Sequence, residues 1–197
     1  MTDPKGLSAY LQGYLAEARA VLDEGYLREA LAQIIPVFER ARADGRTIFF
    51  FGNGGSASTS AHFVTDIAKD TWNGKGPRFR CVSLADNVDT LTAWANDADF
   101  TRVFSEPLRS LGRAGDVAVG ISGSGDSPNV LEGVRAAREL GLTTIGLTGR
   151  RGGKLKGMVD VALIVPSDSM QHIQDVHLVF LHVLDGYFRD VLASVGG

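Results

Sequence analysis

The sequence predicts an α/β domain whose parallel sheet is covered by helices on both faces. Three observations carry this. Five short, almost wholly apolar runs lie between residues 47 and 165. Amphipathic stretches of helical length separate them, and glycine- and serine-rich segments follow the runs directly. Strands buried on both faces read as continuous apolar runs, and alternation with helices gives parallel crossover units.

Residues 6–44 read as two amphipathic helices. Leu7, Tyr10, Leu11, Tyr14 and Leu15 recur at helical spacing, and Leu27, Ala30, Leu31, Ile34, Ile35 and Phe38 repeat the pattern after Gly25. Such a stripe must be buried, on its own domain or on another subunit. Strands are expected at 47–51, 80–84, 117–121, 143–147 and 161–165, and helices at 58–69, 88–95, 103–111, 129–140 and 173–192. The chain of 197 residues shows no repeat or linker, so it reads as one domain: helices over 1–45 and an α/β core over 46–197.

Lys and Arg total 20 against 23 Asp and Glu, a net charge of −3, which argues against a nucleic-acid surface built on bulk charge. The single cysteine, Cys81, excludes an internal disulfide and a cysteine-rich zinc module, and fits a reducing compartment. It reads as a strand residue, not a nucleophile. No apolar run approaches the roughly 20 residues that cross a bilayer. The expectation is a soluble cytoplasmic protein without membrane or nucleic-acid partners.

Open α/β sheets bind ligands at the carboxyl ends of their strands. After the first strand comes Gly52-Asn53-Gly54-Gly55-Ser56-Ala57-Ser58. Glycines let backbone amides approach an anion, and the next helix offers its positive end. No Gly-Lys-Ser/Thr follows, so this is not a Walker A loop; Gly52, Gly54 and Ala57 do match a dinucleotide-binding variant. The acid that would support it, Asp86, stands nearly 30 residues past Ala57, where roughly 20 are wanted. After the third strand comes Ser122-Gly123-Ser124-Gly125-Asp126-Ser127-Pro128. Asp126 or Ser127 would cap the next helix with Pro128 at its first position, but capping needs only one residue. Two Ser/Gly loops on one sheet favour a phosphate held by amides and hydroxyls. After the fourth strand, Gly149 is expected to adopt a positive φ, and Asp86 or Asp89 to cap the helix near Val88.

His172, His177 and His182 fall near the last helix at steps of five residues, so they cannot share a face. His62 and Asp66, spaced i, i+4, do share one, as metal ligands, as a base with its orienting partner, or as a surface pair.

Gly52-Asn53-Gly54-Gly55-Ser56 followed by Ala61-His62-Phe63 resembles the sugar isomerase (SIS) domain family, its phosphoheptose isomerase branch in particular. The resemblance continues through Asn96-Asp97, Gly115-Asp116-Val117, Ile121 to Ser127, Leu147-Thr148-Gly149 and Ile173-Gln174-Asp175-Val176-His177. It implies a three-layer sandwich with a flavodoxin-like five-stranded parallel sheet and an N-terminal helical extension. It also implies a homotetramer with active sites where subunits meet. By the same resemblance Ser56, Ser122, Ser124 and Ser127 bind phosphate, while Asn53, Gly54, Gly55, Asp97, Gly123 and Gln174 line the substrate site. His62, Asp66, Gln174 and His182 hold one zinc per subunit, and Asp66 and His182 are the catalytic acid–base pair. The implied reaction is aldose–ketose isomerisation of sedoheptulose 7-phosphate to D-glycero-D-manno-heptose 7-phosphate. Two positions depart from the family: Asp66 stands where glutamate is usual, and Gly123 where threonine is usual. The alternative is a non-catalytic relative that binds phosphosugars or associates with the replication initiator.

Overall fold

The computed structural model describes residues 4–192 apart from 73 and 75. Two helices, α1 (Leu7–Val21) and α2 (Glu24–Ala43), precede the sheet. The core then runs β1 (Thr47–Gly52), α3 (Gly55–Asp70), β2 (Arg80–Ser83), α4 (Val88–Asp97), α5 (Ser105–Leu111), β3 (Val117–Ser122), α6 (Pro128–Glu139), β4 (Thr143–Gly149), β5 (Val161–Val165) and α7 (Met170–Tyr187). All strand pairs are parallel, in the order β2-β1-β3-β4-β5. The connections change direction between β1 and β3, and a crevice opens at such a switch point. The two serine loops leave these two strands, so the topology brings them together.

Alternate residues of β1 build two cores. Ile48 and Phe50 face a layer with α2, α3 and α7; Phe49 and Phe51 face a layer with α5 and α6. The first layer centres on Phe38, whose ring lies 6.1–6.3 Å from those of Phe50, Phe63, Phe79 and Phe188. α1 reaches α7 through Tyr14, which donates to Asp175 Oδ2 at 3.1 Å and packs edge-on against His172. Its Leu7, Tyr10, Leu11 and Leu15 stay exposed, as does a groove of about 700 Å³ lined by Leu22, Leu27, Leu31, Ile35, Val179 and Val183.

Several boundaries differ from the sequence expectation, for local reasons. The first two helices break at Leu22–Asp23, because Asp23 caps α2 by accepting from the Gly25 N–H, which puts Gly25 inside the helix. α3 starts at Gly55, earlier than 58, because Gly54 turns the chain so that the Ala57 and Ser58 N–H groups already donate to its carbonyl; the polar Ser and Thr of this first turn leave no apolar period to show it. Asn87 caps α4, neither Asp86 nor Asp89, by accepting from Thr90 N–H. Asp99 initiates a separate 3₁₀ turn at Phe100–Arg102 ahead of α5. Ser169 caps α7 at Met170, and the helix ends in a π-helical turn over Phe188–Leu192. After β4 positive φ falls on Arg150, at 57°, and then on Gly152 and Gly153, not on Gly149. Among the described residues no helix is long and apolar enough to cross a membrane. Cys81 lies half-buried in β2, and desolvation pushes its thiol up to about 12.

The three late histidines part company as their spacing requires. His172 is buried against Tyr14, His177 lies under the sheet with Nε2 3.1 Å from the Thr148 carbonyl, and His182 faces α3. Burial lowers His177 from its ordinary 6.5 to about 4. Between those values the unfolded chain binds a proton that the folded chain refuses. Stability is therefore expected to fall as pH drops through that window, by up to about 3 kcal/mol, and no further below it. Urea unfolding of the parent and of His177→Gln across this range checks it: the variant should lack this part of the acid slope, and equal slopes would refute it.

Candidate active site

The loop after β1 turns on Gly54, whose φ of 53° and ψ of −120° suit glycine alone. It places Ser56 at the first turn of α3, buried, with a hydroxyl that makes no hydrogen bond among the described residues. Across the crevice Ser122 Oγ lies 3.0 Å from Ser127 Oγ and 3.4 Å from Ser124 Oγ. Ser127 occupies the cap position before Pro128 but makes no cap bond; its hydroxyl turns toward Ser122. Asp126 accepts from the Lys154 N–H instead of capping. Hydroxyls gathered in this way, beside the starts of α3 and α6, are the kind of donor set an oxyanion accepts from, without a cationic side chain.

The first turn of α7 closes the cradle. Three bare backbone positions receive it: the Gln174 amide lies over Gly55, Met170 over Gly123 and Ile173 over Gly149. The absence of a side chain at 123 is thereby explained. A Cβ there would lie 2.4 Å from Met170 Sδ. Gly123→Thr is expected to lose about 1–3 kcal/mol of unfolding stability through overpacking. Adding Met170→Ala should recover part of it; denaturant midpoints that show no loss, or no recovery, would count against this packing.

Two turns along α3 from Gly55, a second cluster forms. His62 Nε2 lies 3.1 Å from Asp66 Oδ2, His182 Nε2 lies 3.6 Å from the same oxygen, and the two nitrogens are 3.4 Å apart. α3 and α7 run side by side from the same edge of the sheet, so both chain ends of the cluster meet within one protomer. Asp66 Oδ1 makes no hydrogen bond among the described residues. Asp185, buried one turn beyond His182, has its carboxyl pushed up by that burial and by Asp70 and Asp66, so the surroundings are electronegative.

Not every expected residue joins. Gln174 packs over Gly55 at the start of α3, away from the triangle, and Asp97 stands at the exposed end of α4, accepting from Asn96 Nδ2 and bonding to neither serine loop. Sequence reading missed Asn129, which is buried beside the cradle and bonded to Asn53. A lone polar residue after Pro128 carried no signal that its partner lies 76 residues away.

The SIS domain family model matches residues 13–149. The phosphoheptose isomerase of Paramagnetospirillum magneticum is 40% identical over 159 residues, 80% of this chain and 82% of that one. A probable phosphoheptose isomerase of Thermoplasma acidophilum is 38% identical over 174 residues, 85% and 95% of the two chains. Among solved structures, phosphoheptose isomerase of Neisseria gonorrhoeae superposes with a TM-score of 0.84 at 34% identity, covering 94% of this chain and all of that one. The chain belongs to the SIS domain family, on the branch of the phosphoheptose isomerases.

Proposed function

We propose that the chain isomerises sedoheptulose 7-phosphate to D-glycero-D-manno-heptose 7-phosphate by proton transfer through an enediol. The observation that supports this best is the His62–Asp66–His182 triangle, two helical turns along α3 from Ser56 and the serine loops. The seven residues from Gly55 to His62 span about 10 Å of helix, of the order of an open heptose chain. The ester end then sits on Ser56, Ser122, Ser124 and Ser127, and the carbonyl end at the triangle. Remote phosphate binding positions the reacting carbons.

The triangle's sides of 3.1–3.6 Å suit zinc, since ligands about 2.0–2.2 Å from a tetrahedral ion stand about 3.4 Å apart. His62 Nε2, His182 Nε2 and Asp66 Oδ2 would hold it. When bound, zinc supplies a Lewis acid for the carbonyl. Asp66 Oδ1, unengaged, takes the proton from carbon 1 and returns it to carbon 2. His182 Nε2 is placed either to hold metal or to exchange protons with the two substrate oxygens, one role at a time. The resting distances show that the short aspartate reaches both histidines.

The homotetramer belongs to the same proposal. The uncovered apolar face of α1 and the groove between α2 and α7 support it, and four 21.0 kDa chains are expected by light scattering. A coupled assay on sedoheptulose 7-phosphate, with and without added zinc, tests the activity, and metal analysis of protein purified without chelators tests the ion. Turnover and about one zinc per chain are expected. No turnover in either condition overturns the isomerase. Thermal stabilisation by the sugar phosphate without turnover would then leave a binding protein.

A further inference from the structure

Asn129 is 2% exposed and stands outside the ligand sets considered above. Its carboxamide forms a reciprocal pair with that of Asn53. Asn53 Nδ2 donates to Asn129 Oδ1 at 2.8 Å, and Asn129 Nδ2 donates to Asn53 Oδ1 at 2.7 Å. Asn129 Oδ1 also accepts from the Val130 backbone N–H at 3.0 Å. A backbone N–H only donates, so it fixes which end of the Asn129 carboxamide is oxygen. That choice fixes Asn53 in turn. Turning either amide over would set oxygen against oxygen and N–H against N–H, leaving buried groups unpaired. The polarity of Asn53 is thus referenced to the first turn of α6.

The pair occupies one N–H and one lone pair of Asn53. Asn53 keeps a second N–H and a second lone pair, and it is only half-buried in the loop after β1. We propose that Asn129 is a positioning residue. It presents the free donor and acceptor of Asn53 to the sugar in one fixed orientation, referenced to the start of α6. The chemistry recognised is a hydroxyl of the polyol chain, which donates and accepts at once; an oxyanion, which only accepts, matches half of it. This inference rests on the phosphosugar reading above, in which Asn53 touches substrate.

A double-mutant cycle tests it. Asn53→Ala, Asn129→Ala and the double variant are compared with the parent for kcat and KM on sedoheptulose 7-phosphate and for binding of inorganic phosphate. Each single variant is expected to lose about tenfold or more in kcat/KM. The double variant should be no worse than Asn53→Ala by more than about twofold, because Asn129 acts through Asn53. Phosphate affinity should change by less than about threefold in all three, since hydroxyls and amides elsewhere hold it. Losses that multiply, or a phosphate affinity that falls in parallel, would show independent scaffolding and overturn the inference. Asn129→Asp keeps the volume and both acceptor duties but loses the donor to Asn53 Oδ1. It should reproduce the loss, and parent-like kinetics in this variant would also overturn it. If the parent neither binds nor turns over the sugar phosphate, the site reading falls and takes the inference with it. If the parent does and the cycle is additive, the inference falls alone.

Discussion

Asp66→Asn is expected to lower kcat on the sugar phosphate by about 10³-fold. The exchange keeps the shape and removes both the charge and the base. Its Oδ2 lies 3.1 and 3.6 Å from two imidazole nitrogens, so the loss also removes the one anion of the triangle, and bound metal should fall with activity. Sugar-phosphate affinity should stay within a few-fold of the parent, because the serines proposed to hold the ester lie two helical turns away. Steady-state kinetics, calorimetry and metal analysis on one preparation read all three. Activity within tenfold of the parent would remove Asp66 from the chemistry. Asp66→Glu restores a carboxylate on a longer arm. The parent frame already closes the triangle around the shorter side chain, and a displacement near 1 Å costs about 10²-fold, so partial activity is expected.

The second large effect is on stability. Phe38→Ala is expected to cost about 3–5 kcal/mol in urea unfolding. Phe38 is 1% exposed and touches four aromatic rings, stacking on Phe188 at 12° between planes. Its partners come from β1, α3, the segment before β2 and the π-helical turn after α7, so one cavity loosens four elements. Phe63 adjoins His62, and Phe188 closes the helix that carries His182. Activity of the surviving folded protein should therefore fall as well. A cost below about 1 kcal/mol would show that the cluster repacks and that the site does not depend on it.

Much of this frame is legible in the sequence. The strands are legible because β1, β3 and β4, buried along nearly all their length, read as apolar runs whose few polar residues are mostly Ser and Thr at the ends. The exposed edge strand β2 carries Arg80 and Ser83 and is the least marked. Helix starts are less visible. Gly55 and Met170 begin helices because backbone N–H groups turn in on the Gly54 carbonyl and Ser169 caps α7, and neither leaves an apolar period. His62 and Asp66 share a face by spacing, whereas His182, 120 residues away, was tied to them by resemblance and not by any local pattern. Gly123 reads as a lost hydroxyl until Met170 is seen filling the space. Long-range pairs such as Asn53 with Asn129 are set by topology, on which local composition is silent.

The seat of α7 on three glycines has a mechanical consequence. One short, stiff rod carries Met170 and Gln174 at its front and His182 farther back. The Met170, Ile173 and Gln174 side chains of α7 rest directly on backbone, so a movement that widens the front is expected to draw His182 from its two partners. On the proposed reading, ester binding at the front and proton transfer at His182 would therefore share a single lever.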